Sequence, residues 1–398
     1  MVKVASLFNQ LLREISRTEF EGLVRKHKAE HAAKGFNCWT QMVSMVFCQL
    51  AQTESLREIC NGLQCSNSKL GHLGLKKAPA RSTLCYANQN RPAALFEDLF
   101  WAALRRFRDY QQLGDRPRKF RFKNKLLLMD STTISLCLQM FPWAGFKKAK
   151  GAVKAHTVLD HDDYMPRFLL LTTGKTSDIR AAQQVSLPAQ SIIVCDRAYL
   201  DFSNFARWDG QGAYFVCRSP GPPVYEVLEE RQVHSRNIVH DQIVRYTGRY
   251  SGRYRKTLRR ITVRTEGNDP LILITNHLEF APSTIANIYK ERWQIEVFFK
   301  TIKQNLKIKT FVGTSENALR IQIWTALLTM VLLRWLHHLS KARWSLSNLV
   351  SLLRLNLFTY RDLKQWLNDP YETPPEFPTP EQLELDLFGL GQPSLTKA

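Results

Sequence analysis

Carboxylates are scarce in this chain. Against 56 lysines and arginines stand 35 aspartates and glutamates, a formal net charge of +21. That excess goes beyond what solubility requires and points to a polyanionic partner. Cysteine pairs are missing too. None of the eight cysteines stands in a C-x-x-C pair, and several lie in apolar runs such as SMVFCQL and SIIVCD, the setting of buried thiols in a reducing compartment. Cys60, Cys65, His72 and Cys85 match no common zinc-module spacing. No apolar run reaches the roughly 20 residues of a spanning helix. The longest, IWTALLTMVLL, covers 323–333, so nucleic acid is expected as the polyanion and a membrane is not. The opening MVKVASLFNQLLREISR has no uninterrupted apolar stretch followed by a small-residue cleavage site, so a cytoplasmic protein is expected.

What is present is enough for two or three domains: 398 residues, 44% of them hydrophobic. Residues 1–116 carry apolar side chains at three- and four-residue spacing in FNQLLREISRTEFEGLVRKHK, WTQMVSMVFCQLAQ and ALFEDLFWAALRRFRDY, which predicts helices. Between them, SLREICNGL starts on a capping serine and RSTLCYANQNRP offers a second short helix. The pair is compatible with a DNA-reading helix-turn-helix and equally with plain helical packing. After DRPRKFRFKNK the composition turns to short β-type runs: KLLLMDSTTISL, GAVKAHTVLD and RFLLLTT, then a helix at TSDIRAAQQVSL, then SIIVCD. That β-β-β-α-β order opens a ribonuclease H-like sheet. The fold expected is α/β: a ribonuclease H-like mixed sheet with helices and a β-rich insertion at about 205–280, within a unit spanning 117–345. An all-helical DNA-binding unit (1–116) precedes it, and a C-terminal helix with a proline-rich acidic tail (346–398) follows.

Residues 245–264 hold eight basic residues and no acid. Read as one strand, the segment puts Tyr246, Tyr250 and Tyr254 on one face and Arg245, Arg249, Arg253 and Arg255 on the other. Arg249 and Arg253 are then candidate phosphate contacts. The alternative is an exposed hairpin kept soluble by its charge.

The stretch YKERWQIEVFFKTIKQN, 289–305, is more specific. As one helix it aligns Tyr289, Arg292, Glu296, Lys300 and Lys303 on a single stripe, while Ile288, Ile295, Phe298, Phe299, Ile302 and Leu306 face a core. One carboxylate among three cations and a phenol suits a metal ion held beside phosphate oxygens; a solvated face is the plain alternative. Asp130 follows the apolar run KLLLM and Asp196 follows SIIVC. A carboxylate after a buried strand is costly unless paired or bound to metal. In a ribonuclease H-like order the two strands lie side by side with a later helix across them, so Asp130, Asp196 and Glu296 can converge on two Mg²⁺ ions about 3.5–4 Å apart. Hard oxygen ligands favour Mg²⁺, with Mn²⁺ as a substitute, over zinc. His156 is read as a structural hydrogen-bonding group.

The spacing of Tyr289, Arg292, Glu296 and Lys303 resembles the Y-x2-R-x3-E-x6-K signature of DDE-type transposases of the insertion sequence 4 family, and LLMDSTTISL and IIVCDRAYLDF look like that family's two aspartate motifs. WTQMVSMVFCQLAQTESLREI and RSTLCYANQNRP resemble the same group, so the likeness covers about 5–345. It implies a Mg²⁺-dependent bacterial transposase, working at the nucleoid as a homodimer on double-stranded DNA. Such an enzyme cleaves at terminal inverted repeats and transfers 3′ hydroxyls into target DNA. Asp130, Asp196 and Glu296 would hold metal, Tyr289, Arg292 and Lys303 would grip phosphates, and Lys300 would be an auxiliary contact. No tryptophan shortly before the final helix matches the base-stacking residue of some relatives. The alternative reading is a non-catalytic repressor or domesticated relative, whose mark would be a lost carboxylate; none is lost. Finally, QLELDLF in the acidic tail resembles the peptide by which bacterial proteins dock on the replication sliding clamp, with Gln382, Leu383, Leu385, Leu387 and Phe388 as contacts. A short strand folding back on the body is the alternative there.

Overall fold

Ser6, Ser16, Asn37 and Ser55 each accept a hydrogen bond from the backbone N–H three residues on, satisfying a donor that a helix start leaves open. They set the beginnings of α1 (Leu7–Arg13), α2 (Arg17–Lys26), α3 (Cys38–Ala51) and α4 (Leu56–Gln64). Then come α5 (Asn67–Leu70), α6 (Arg81–Asn90) and α7 (Ala93–Gln111), so the N-terminal region is helical. The computed structural model describes residues 5–30, 35–111, 119–147, 150–219, 224–247, 251–265, 269–342 and 344–375.

The strands that follow are β1 (Leu126–Leu136), β2 (Gly145–Lys147), β3 (Lys150–Asp160) and β4 (Pro166–Thr173). After α8 (Asp178–Ala182) come β5 (Ile192–Cys195), α9 (Phe202–Gly210) and β6 (Tyr214–Ser219). β3 lies antiparallel to both β1 and β4, whereas β1, β5 and β6 run parallel. This is a ribonuclease H-like arrangement, with the short β2 paired to the start of β3. The β-rich insertion does not form a separate sheet. β7 (Tyr225–Glu230), β8 (Ile238–Tyr246), β9 (Leu258–Val263) and β10 (Leu271–Thr275) continue the same one in the order β6-β10-β9-β8-β7.

The centre of the sheet, at β1, β5 and β6, is buried on both faces, and strand alternation decides which residue goes where. Leu126 and Leu128 of β1 and Ile192 and Val194 of β5 face one core; Leu127, Met129, Ile193 and Cys195 face a second, closed by Phe202, Phe205 and Trp208 of α9. The first core continues into the N-terminal helices and into α10 (Pro282–Lys290), α11 (Trp293–Asn305) and α12 (Glu316–Leu339). α12 exceeds the apolar run seen in the sequence. By length and composition it could cross a membrane, yet 89% of its apolar window is buried inside the protein against α7, α3 and α6 among others. Two helices rather than one lie beyond it, α13 (Leu346–Leu355) and α14 (Leu363–Asn368), and the chain returns to its start, where Phe8 N–H donates to Leu357 O at 2.8 Å.

The arginine-tyrosine segment is not one strand. β8 ends at Tyr246, Ser251–Arg253 form a 3₁₀ turn, and β9 starts at Leu258. Burial decides this: Tyr246 and Tyr254 pack into the second core beside Phe202 and Phe215, which a straight strand with all its tyrosines outward would forgo. Arg259 is buried as well, bonded twice to Asp241 at 2.7 Å. Arg249, Tyr250 and the tail motif Gln382, Leu383, Leu385, Leu387 and Phe388 lie outside the described residues.

Candidate active site

Asp130 lies mid-strand in β1, and its even position puts it on the face of Leu126 and Leu128. Asp196 follows β5 directly. Because Met129 pairs with Cys195 in the parallel register, the two aspartates are the next residues on neighbouring strands. Asp196 also caps a 3₁₀ turn, accepting from Ala198 N–H at 3.0 Å. α11 packs on that same face and supplies Glu296.

The expected continuous helix is broken between α10 and α11. Arg292 N–H, Gln294 N–H and Ile295 N–H bond to carbonyls three residues back, so the chain tightens into a 3₁₀-like turn at Glu291 and Arg292. Glu291 is buried there. It accepts from Lys119 at 2.6 Å and pairs with His161, at the end of β3, at 2.9 Å. The turn keeps the stripe together but seats Tyr289 inward, with the Arg292 guanidinium carbon 5.9 Å from its ring centre. Burial pushes the Tyr289 phenol up to about 12, so it stays protonated and able to donate.

Arg292 spans the carboxylates. It donates to Asp130 at 3.2 Å and to Glu296 at 2.6 Å, and its buried Nε–H has no partner among the described residues. Burial pushes the Asp130 carboxyl up to about 6; the Ser131 amide and Arg292 work against that rise, and the nearby charges of Asp196 and Glu296 add to it. Lys303 reaches back to β1, donating to Thr132 Oγ1 at 2.6 Å and Thr133 O at 3.3 Å. Thus Arg292 joins Asp130, Glu296 and the Tyr289 ring, Asp196 stands next to Asp130 on the neighbouring strand, and Lys303 reaches the same strand at Thr132. Lys300 is on α11 but exposed, and Arg253 is exposed in its turn, 3.6 Å from Asp201. Among the described residues no group of three or more His, Cys, Asp or Glu side chains is gathered closely enough to hold a metal ion; here the Arg292 guanidinium lies between Asp130 and Glu296.

Behind the aspartates, on the other sheet face, Asp178 of α8 accepts from Lys154 at 2.6 Å and lies 3.2 Å from His156 and 3.4 Å from the Tyr199 hydroxyl. Burial works to raise the Asp178 carboxyl, but hydrogen bonds from His156, Lys154 and Ser131 outweigh it and hold the group far below the usual range. His156, bonded also to Thr172, is therefore structural, in a network that reaches the neighbour of Asp130. Sequence reading passed over Asp178, Tyr199 and Trp293. Trp293 is 60% exposed at the start of α11, next to Arg292, an unusual outlay of indole surface.

A family described as "Transposase DDE domain" matches residues 121–332, more than half of the chain, with Asp130, Asp196, Tyr289, Arg292, Glu296 and Lys303 inside it. The chain belongs to the DDE transposases. Residues 3–76 of this transposase match a second family, described only as a domain of unknown function. Among relatives, a Sinorhizobium fredii protein named as a transposase is 28% identical over 291 residues, 72% of this chain and 80% of its own. One from Geobacillus stearothermophilus, named for insertion sequence element IS5377, is 31% identical over 237 residues, 58% and 61% of the two chains. A third, from Synechocystis, named for element IS4SA, is 23% identical over 265 residues, 64% and 71%.

Proposed function

We propose that this transposase binds the terminal inverted repeats of an insertion sequence, cleaves the DNA there and joins the 3′ ends to target DNA, with Asp130, Asp196 and Glu296 as the catalytic carboxylates. The observation that carries this reading is the convergence of those three acids on one sheet face, with Arg292 spanning two of them. Carboxylate oxygens are the donor type that hard divalent cations such as Mg²⁺ take, and Asp130 and Glu296 would hold one once the Arg292 guanidinium moves from between them. Bound there, such ions supply charge stabilisation at the attacking and leaving oxygens of an in-line displacement at phosphorus.

The chain's own residues do the rest. Arg292, released from the carboxylates, carries an unpartnered Nε–H toward a phosphate oxygen, and a guanidinium fork suits that ligand. Tyr289, its phenol protonated, can donate a hydrogen bond to a phosphate oxygen, and Lys303 places a charge beside Thr132 on the strand that holds Asp130. The exposed indole of Trp293 offers a stacking platform for an unpaired base at the cut end. Two copies acting on two ends would bring both into one complex.

Cleavage of a duplex carrying the ends of the element tests this, with Asp130→Ala, Asp196→Ala and Glu296→Ala compared singly with the wild type in Mg²⁺. Each is expected to abolish cleavage while binding persists. Retained Mg²⁺-dependent cleavage in any one of them would overturn the assignment, and a wild type that binds but never cuts would favour a repressor.

A further inference from the structure

The helical region carries a surface that the catalytic machinery does not use. α6 turns Leu84, Ala87 and Asn88 inward and leaves Arg81, Ser82, Tyr86, Gln89 and Asn90 exposed, Tyr86 at 71%. Its ten residues include no carboxylate. The helix is pinned from behind: Gln41 of α3 donates to Asn88 Oδ1 at 2.8 Å, and Asn317 of α12 donates to Asn88 O at 2.9 Å. Beside it an open groove of about 900 Å³ runs between α4 and α6, with Arg57 and Arg81 on its sides and Phe311 on its wall. Two acids also line it, and both are engaged. Glu54 pairs with Lys307 at 3.0 Å, and Glu58 closes a capping box with Ser55 Oγ at 3.0 Å and Glu54 N–H at 2.8 Å. Lys76 and Lys77 are exposed in the loop leading to α6.

We propose that α6 is the helix that reads base sequence, entering the major groove of the terminal-repeat duplex. The side chains on its outer face are the types that match base edges: arginine to guanine, glutamine and asparagine to adenine, serine to either. A helix on a rigid mount, its first turn leading with Arg81 and Ser82, is the geometry such recognition uses, while Arg57, Lys76 and Lys77 supply charge for the flanking phosphates. The helical region is also latched to the catalytic helix. Gln52 donates to Asn305 O at 2.8 Å and Lys307 N–H to Gln49 Oε1 at 2.8 Å, so the end of α3 is tied to the end of α11, about two and a half turns beyond Glu296. The sequence read at α6 is thereby held at a fixed offset from the bond that is cut.

This inference rests on the transposase reading, and its test separates the two. The full-length protein, in chelator so that nothing is cut, is offered a pool of duplexes with a randomised core, and the enriched duplex then competes against a shuffled one. The wild type is expected to enrich a defined sequence. Ser82→Ala combined with Gln89→Ala, which leaves the charge unchanged, is expected to lose discrimination about tenfold to a hundredfold, with unchanged affinity for the shuffled duplex and unchanged melting temperature. A double variant that discriminates like the wild type overturns the inference. So does a wild type that binds and, with Mg²⁺, cuts DNA but enriches no sequence, and that outcome leaves the transposase reading standing. A wild type that binds no DNA at all sinks both.

Discussion

Replacing Arg292 by glutamine removes the positive group between Asp130 and Glu296 and keeps most of the side chain's length. Its bonds, at 3.2 and 2.6 Å, join a guanidinium 18% exposed to carboxylates 19% and 34% exposed. Hydrogen bonds to charged groups contribute about 1.5–3 kcal/mol when shielded. The Glu296 bond, an i,i+4 pair with a third of the carboxylate in water, is screened to about 0.5 kcal/mol or a little more. The Asp130 bond is long but drier, and losing it leaves a buried charge beside two like charges. Together these give about 2–3 kcal/mol of lost stability in chelator, a fall of several degrees in Tm at about 2–4 °C per kcal/mol for domains of 150–250 residues. Mg²⁺ should then stabilise the variant more than the wild type, because the cation no longer competes with the guanidinium for the same oxygens and binding to the native state adds directly to its stability. Calorimetric melts of both proteins in chelator and across a Mg²⁺ series measure this. Equal Tm values in chelator, or equal gains from Mg²⁺, would refute the idea that Arg292 stands where a metal binds.

Lys303→Ala is expected to weaken binding to duplex DNA at low salt and to reduce the slope of log affinity against log salt by about one, the signature of one lost phosphate contact; an unchanged slope removes Lys303 from the phosphate site. Asp160 is buried, and although burial acts to raise its carboxyl, Lys125, the Asp162 amide and Arg167 hold it below the usual range. A depressed folded value means stabilisation that is full above the unfolded value of about 4 and lost as pH falls through the folded one. Asp160→Asn should therefore lower Tm at neutral pH, with the gap to wild type narrowing below about pH 4 in acid melts. For the tail, purified sliding clamp should be retained by the wild type and released by Leu387→Ala with Phe388→Ala; equal recovery with both, or none with either, discards the docking motif.

Much of the site could be read before the fold. Alternation alone puts Asp130 with Leu126 and Leu128, and the three- and four-residue spacing from Tyr289 to Lys303 is enough to group Tyr289, Arg292, Glu296 and Lys303. Two features escaped because they depend on partners distant in sequence. The break at Glu291 and Arg292 answers to His161 and Lys119, more than a hundred residues away, and nothing in local periodicity announces a pull from there. The arginine-tyrosine repeat looked like a basic ribbon because charge pattern says nothing about which rings and guanidinium groups find buried partners. Arg259 has Asp241, and Tyr254 has Phe215. Asp178 was invisible for a similar reason: it lies on the far face of the sheet, where Tyr199, close after Asp196, meets His156, the strand partner of Ser131.

α12 touches α3, α6 and α7 on one side and shares a small apolar void with α11 and the sheet through Ile323 and Leu327 on the other. The helices α3, α6 and α7 therefore supply part of the wall behind the sheet, packed on α12. A unit on a flexible tether can be exchanged between mobile elements by recombination, bringing a new specificity in one event. Here a crossover between α7 and β1 would hand α12 a foreign surface and leave its leucines and tryptophans unmatched.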